Sequence, residues 1–103
     1  TVQIDWHSVP LLPGVRELAA RGIVTGASGR NWTAYGSEVA LPEGFDDTER
    51  ALLTDPQTSG SLLVACAPDA VGEVQATFAR NGFAHAGIVG KVLPRGERAL
   101  AVG

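Results

Sequence analysis

The run Asp55-Pro56-Gln57-Thr58-Ser59-Gly60-Ser61-Leu62-Leu63-Val64-Ala65-Cys66-Ala67 decides how this 103-residue chain is read. Its first half is turn chemistry: Asp-Pro starts a turn, and an Asx side chain hydrogen-bonds the backbone two residues on. Its second half is an unbroken apolar stretch with the length of a strand buried on both faces. Such a strand needs covering layers, and the flanking sequence supplies them. Pro68 and Asp69 open a helix whose inner face carries Val71, Val74 and Phe78, and Gly82 ends it. Residues 84–93 read as a strand in which Gly87 and Gly90 leave room for a close neighbour or a bulge. Pro94-Arg95-Gly96-Glu97 is a turn, and 98–102 a last strand. The 61–102 half is therefore predicted as a strand–helix–strand crossover, right-handed by rule, followed by a hairpin.

Upstream, Asp46 and Glu49 have the spacing of a capping box, with Asp in the Ser/Thr slot. A helix of about two turns follows, to Leu53. Residues 24–45 lack apolar periodicity and are predicted as a long loop anchored by Trp32, Tyr35 and Phe45. Val15, Leu18 and Ala19 share one face of a short helix over 13–21, with Pro13 in its first turn and Gly22 at its stop. Val2-Gln3-Ile4-Asp5-Trp6 alternates with the period of a half-buried strand. The sequence contains no internal repeat, low-complexity tract or visible domain boundary. It predicts one domain over 1–103 with an α+β fold (an α/β sandwich), a mixed sheet covered by helices on one face.

Composition narrows the function classes. Hydrophobic residues make up 45%, enough for a real core at this length. The net charge is −3, and the seven Arg and one Lys are scattered, which argues against nucleic acid as a partner. No apolar run approaches ~18 residues, so no membrane partnership is expected, and no signal peptide opens the sequence. A lone Cys cannot form an internal disulfide, which is compatible with the cytosol. Methionine is absent, so either an initiator was trimmed before the small Thr1 or this is a piece of a longer protein. The strand that begins abruptly at Val2 favours the piece.

Two polar loops carry the candidate chemistry. In the 55–61 stretch, which opens with Asp55 and Gln57, Thr58, Ser59, Gly60 and Ser61 supply hydroxyls and backbone N–H groups. They read either as a structural turn or as a nest facing an anion; a Walker A loop is excluded, because the spacing and its Lys are missing. Residues 26–31 put Arg30 and Asn31 in a Gly-rich stretch. Arg30 reads either as a phosphate clamp through its fork geometry or as part of a solvated loop. His7 and His85 have no metal-ligand neighbours at short spacing. Cys66 sits in the most apolar run and reads as a core residue, Lys91 as a surface one, and Asp46 and Asp47 as a cap rather than a metal pair. No nucleophile–base pair, metal cluster or phosphate cradle is complete, so no catalytic and no metal-binding residue is assigned.

The residues Asp-Pro-Gln-Thr-Ser-Gly-Ser-Leu-Leu at 55–63 resemble the Asp-Pro-Gln-Thr-Ser-Gly-Gly-Leu-Leu signature of selenophosphate synthetases (selenide, water dikinases). The resemblance extends over essentially 2–102. It includes Leu12-Pro13-Gly14-Val15, the Gly29-Arg30-Asn31 loop, the pair Tyr35-Gly36, and the closing helix, apolar strand and Arg-Gly turn. Ser61 departs from the signature, where the family has its second Gly; a φ above zero or a close backbone approach there would make Ser costly.

The resemblance implies the C-terminal part of a longer two-domain enzyme, with the fold of the aminoimidazole ribonucleotide synthetase-like superfamily, truncated on its N-terminal side. In that family an N-terminal domain carries the Cys or selenocysteine, a nearby Lys, a glycine-rich segment and metal-binding aspartates, and these motifs are absent from this sequence. The implied reaction takes selenide, ATP and water to selenophosphate, AMP and phosphate with Mg²⁺, for selenocysteine and selenouridine synthesis. The implied partners are the N-terminal ATP-binding domain and a second copy in a homodimer, and the implied location is the cytoplasm. Arg30, Asn31 and the 55–60 loop are then expected to wall the cleft, and neither ATP nor Mg²⁺ is expected to bind this piece tightly. A reading of a different class is a stand-alone, non-catalytic binding module of the same fold, for which Ser61 is the one sequence feature. A third is a related synthetase acting on another small substrate.

Overall fold

The computed structural model describes residues 1–57, 59 and 62–103. Thr58, Gly60 and Ser61, with the questions raised about them, lie outside the described residues.

Four short strands make one mixed sheet. They are β1 (Val2–Ile4), β2 (Val39–Ala40), β3 (Gly90–Val92) and β4 (Leu100–Val102), in the order β2-β4-β1-β3. β1 runs parallel to β4, with Val2 opposite Leu100, and antiparallel to β3, with Ile4 opposite Gly90. β2 runs parallel to β4. The predicted α+β class and mixed sheet are present. The predicted hairpin of the last two strands is not: β1 lies between them and takes both ladders. At Ile4↔Gly90 the backbones approach so closely that a Cβ on Gly90 would collide with the Gln3 carbonyl. The room expected at Gly90 is therefore used by backbone.

Among the described residues, four α-helices accompany the sheet: α1 (Val15–Ala20), α2 (Gly26–Tyr35), α3 (Asp47–Leu53) and α4 (Val71–Arg80). α1 and α2 both pack on α3. The stops predicted at Gly22 and Gly82 are present, with φ of 80° and 86°. After α4, Phe83 N–H donates to the Phe78 carbonyl at 3.0 Å and Gly82 N–H to that of Ala79 at 3.1 Å. The accompanying apolar contact is the edge-to-face pair Phe78–Phe83, 6.3 Å between centroids. Asp46 caps α3 as expected, accepting from Glu49 N–H at 2.9 Å.

Further expectations are overturned. Residues 26–35 of the supposed long loop are helix α2. Its inner face is held by polar groups rather than by an apolar stripe, so apolar periodicity was blind to it. Ser28, only 4% exposed, donates to the Ala51 carbonyl at 2.7 Å. Residues 62–67 form no strand and are exposed, Leu62 and Leu63 by 73% and 72%. A strand needs a ladder partner for its backbone groups, and none of the described strands pairs with this run. Cys66 is accordingly exposed rather than in the core. Of the predicted 84–93 strand, Gly90–Val92 alone pairs.

The core is small. Trp6, Ala19 and Val102 are the buried apolar side chains among the described residues. Trp6 meets Phe45 edge to face at 5.6 Å, and its indole N–H donates to Glu49. Much of the remaining apolar surface, including Leu12, Ile23, Phe83 and Ile88, is open to solvent.

Candidate functional site

Asn31 from the first candidate stretch and Asp55 from the second meet at the junction of α2 and α3. A cavity of about 380 Å³ opens there, lined by Asn31, Trp32, Tyr35 and Gly36 on one side and by Leu53, Thr54 and Asp55 on the other. Asn31 and Asp55, taken from separate stretches of sequence, are thus brought to one cleft.

α2 positions its wall by hydrogen bonds spaced three residues apart. Thr25, Ser28 and Asn31 each reach the end of α3. Thr25 Oγ1 donates to Asp55 Oδ1 at 3.1 Å. Ser28 Oγ lies 2.5 Å from Thr54 Oγ1. Asn31 Nδ2 donates to the Thr54 carbonyl at 2.9 Å. Polar residues at i, i+3 and i+6 stay near one helix face, so a polar stripe does here what an apolar one does elsewhere. Thr25, Ser28 and Thr54 were missed in the sequence; the three-residue polar spacing is the signal that finds them.

The other predicted residues are placed as follows. Gln57 is exposed, and its amide donates to Asp55 Oδ2 at 2.8 Å, so both oxygens of that carboxylate are engaged. Arg30 is exposed and folds back along α2: its Nη1 is 3.7 Å from where a Cβ on Gly26 would sit. Arg30 does not line the cavity. Ser59 is exposed. Of the aromatics expected as anchors, Trp32 is stacked under Arg50 at 5.3 Å, Phe45 packs on Trp6, and Tyr35 is exposed on the cavity rim. Gly36 is required beside Trp32, because a Cβ there would lie 2.8 Å from the indole.

His7, His85 and Lys91 are exposed. Among the described residues no three His, Cys, Asp or Glu side chains gather into a metal site. With Arg30 turned away and both Asp55 oxygens engaged, the described residues do not fit an ATP–magnesium site by themselves. A second cavity of about 390 Å³, lined by Leu62, Val64, Val74, Phe78 and Phe83, is almost wholly apolar. No described helix is long and apolar enough to cross a membrane.

The fold and the cleft define a class: an α+β fold with a small core and a polar helix junction. Comparison with known proteins finds similar chains. No family model matches the chain. A selenide, water dikinase of Pseudomonas straminea is 52% identical over 92 residues, 89% of this chain and 26% of its own length. One from Burkholderia orbicola (strain MC0-3) is 52% identical over 93 residues, 90% of this chain and 26% of its own length. One from Dechloromonas aromatica (strain RCB) is 43% identical over 99 residues, 96% of this chain and 28% of its own length. By sequence the chain is similar to selenide, water dikinases, and it spans about a quarter of the length of these relatives.

Proposed function

We propose that residues 1–103 are most of the C-terminal domain of an enzyme that makes selenophosphate from selenide, ATP and water. The observation that carries this reading is the match to selenide, water dikinases over nearly the whole chain and only about a quarter of the relatives. Its role in the reaction is to wall a cleft with the 55–60 loop and its supports on α2, and to help keep water from a reactive intermediate. Arg30 enters that role from outside the cavity. ATP and Mg²⁺ are held by an N-terminal domain. The fold is that of the aminoimidazole ribonucleotide synthetase-like superfamily, the assembly a homodimer, and the location the cytoplasm.

Surface area supports a covering partner. The chain exposes 7674 Å². A folded monomer of this mass exposes about 5,500 Å². An excess of roughly 2,000 Å² is more than one side of a standard interface, about 800 Å². The apolar groove at Leu62, Val64 and Phe83 is part of that excess.

The test is activity of two proteins. The full-length enzyme carrying this segment forms AMP and selenophosphate from ATP and selenide, followed by phosphorus NMR. The 103-residue chain alone does not. Selenide-dependent AMP formation by the chain alone would sink the reading.

A further inference from the structure

We propose that Thr25 is a positioning residue: its hydroxyl sets the Asp55 carboxylate, and through it the course of residues 55–57 as they leave α3. The inference rests on the reading above. Thr25 occupies the N-cap of α2, where a Thr oxygen ordinarily accepts from a backbone N–H of the first turn. Here it makes no such bond. Its hydroxyl instead donates across thirty residues of sequence to Asp55 Oδ1. The helix forgoes its cap for a hydrogen bond to a charged acceptor, which is the stronger kind.

Asp55 is then held from two sides. Gln57 takes the second carboxylate oxygen at 2.8 Å, and the residue before it, Thr54, is fixed by Asn31 and Ser28. Consecutive residues 54 and 55 are thus tied to one face of α2. With both oxygens engaged, Asp55 acts as a post for the loop rather than as a ligand. The carboxylate also lies at the positive end of the α2 dipole, which favours it there. Chemistry at a phosphoryl group is sensitive to placement, and a misplacement of about 1 Å costs up to ~10²-fold in rate.

The experiment uses the full-length enzyme. Thr25→Val keeps the shape and removes the hydroxyl; Thr25→Ser keeps the hydroxyl. Thr25→Val is expected to lower kcat about tenfold or more with KM for ATP changed less than about twofold. Thr25→Ser restores kcat, and the loss in Thr25→Val persists when kcat is expressed per folded enzyme, whatever the shift of its melting midpoint. A purely structural contact would instead lower the midpoint and leave kcat per folded enzyme unchanged, and that result overturns the proposal. So does a loss in Thr25→Ser equal to that in Thr25→Val. Should Thr25→Val fold poorly, the pair is read from the other side. Asp55→Ala lowers kcat at least as much, and Thr25→Val added to it costs nothing more; a further loss in the double variant overturns the coupling. Wild-type enzyme that makes no selenophosphate overturns the functional reading itself, whereas active wild type with an equally active Thr25→Val overturns this inference alone.

Discussion

Trp6 donates its indole N–H to the Glu49 carboxylate, and the other oxygen of Glu49 takes the Arg16 guanidinium. One side chain on α3 therefore joins the turn after β1 to α1. Glu49 stands where a capping box would send it back to the Asp46 N–H; it serves the tertiary contact instead, while Asp46 caps alone. Removing it leaves the indole N–H of a buried Trp without a partner. Glu49→Ala is expected to cost about 1–3 kcal/mol. Arg16→Ala, on an exposed side chain, is expected to cost less than about 1 kcal/mol, and Trp6→Ala about 3–5 kcal/mol. Thermal unfolding checks the order, since 1 kcal/mol moves the midpoint of a domain this size by roughly 4–8 °C.

Two glycines are expected to respond in opposite directions. Gly90→Ala drives a methyl into the Gln3 carbonyl at the β1–β3 pairing and is expected to destabilise by about 1–3 kcal/mol. Gly29→Ala lies inside α2 with nothing within 4 Å of the added carbon. It is expected to stabilise by about 0.5–1 kcal/mol. Paired urea titrations of the two variants measure both.

Asp5 gives a pH signature. Its carboxylate caps the turn Trp6–Ser8, and the Ser8 hydroxyl, donating at 2.6 Å, is the main cause holding its pKa below the ordinary 3.8. The charged form is the one favoured by folding. Its contribution is present above the unfolded pKa and is lost as pH falls through the lower, folded value. An NMR titration is expected to place the Asp5 midpoint below 3.8, and Ser8→Ala to move it upward. An Asp5 midpoint unaffected by Ser8→Ala would count against the assignment.

The exposed apolar run should govern solution behaviour. Leu62, Leu63 and Phe83 stand open beside the apolar groove, and a patch of that kind drives association. Light scattering of the isolated chain is expected to rise with concentration, and Leu62→Glu with Phe83→Ser to suppress the rise. A wild-type chain that stays monomeric at millimolar concentration would show that this surface is not adhesive.

The predictions from sequence succeeded where a local rule was sufficient. Asp46 at the N-cap, Gly22 and Gly82 as stops, and Val71, Val74 and Phe78 on one face of α4 each follow from a few neighbouring residues. They failed where the deciding partner is remote. α2 was hidden because Thr25, Ser28 and Asn31 bind α3 through hydrogen bonds, which leave no apolar period. Residues 62–67 have strand composition, but composition cannot supply a ladder partner. The hairpin failed for the same reason: β1, at the other end of the sequence, takes the place between β3 and β4. The cleft was half visible. Asn31 and Asp55 were both named, but that they share a wall depends on Thr54 between them.

The central pair of the sheet joins Val2 to Leu100, about a hundred residues apart. Closing a loop of that length costs on the order of 4 kcal/mol in chain entropy, beyond a constant. Within residues 1–103, β1 cannot take its β3 and β4 partners until residues 90–102 have been made, and non-local pairing of this kind is slow. Helix capping by Asp46 and Gly82 needs only local contacts, whereas the β1–β4 pairing needs both ends of residues 1–103. For this segment the hazard during synthesis is the long interval before β1 acquires neighbours, when another chain can take their place.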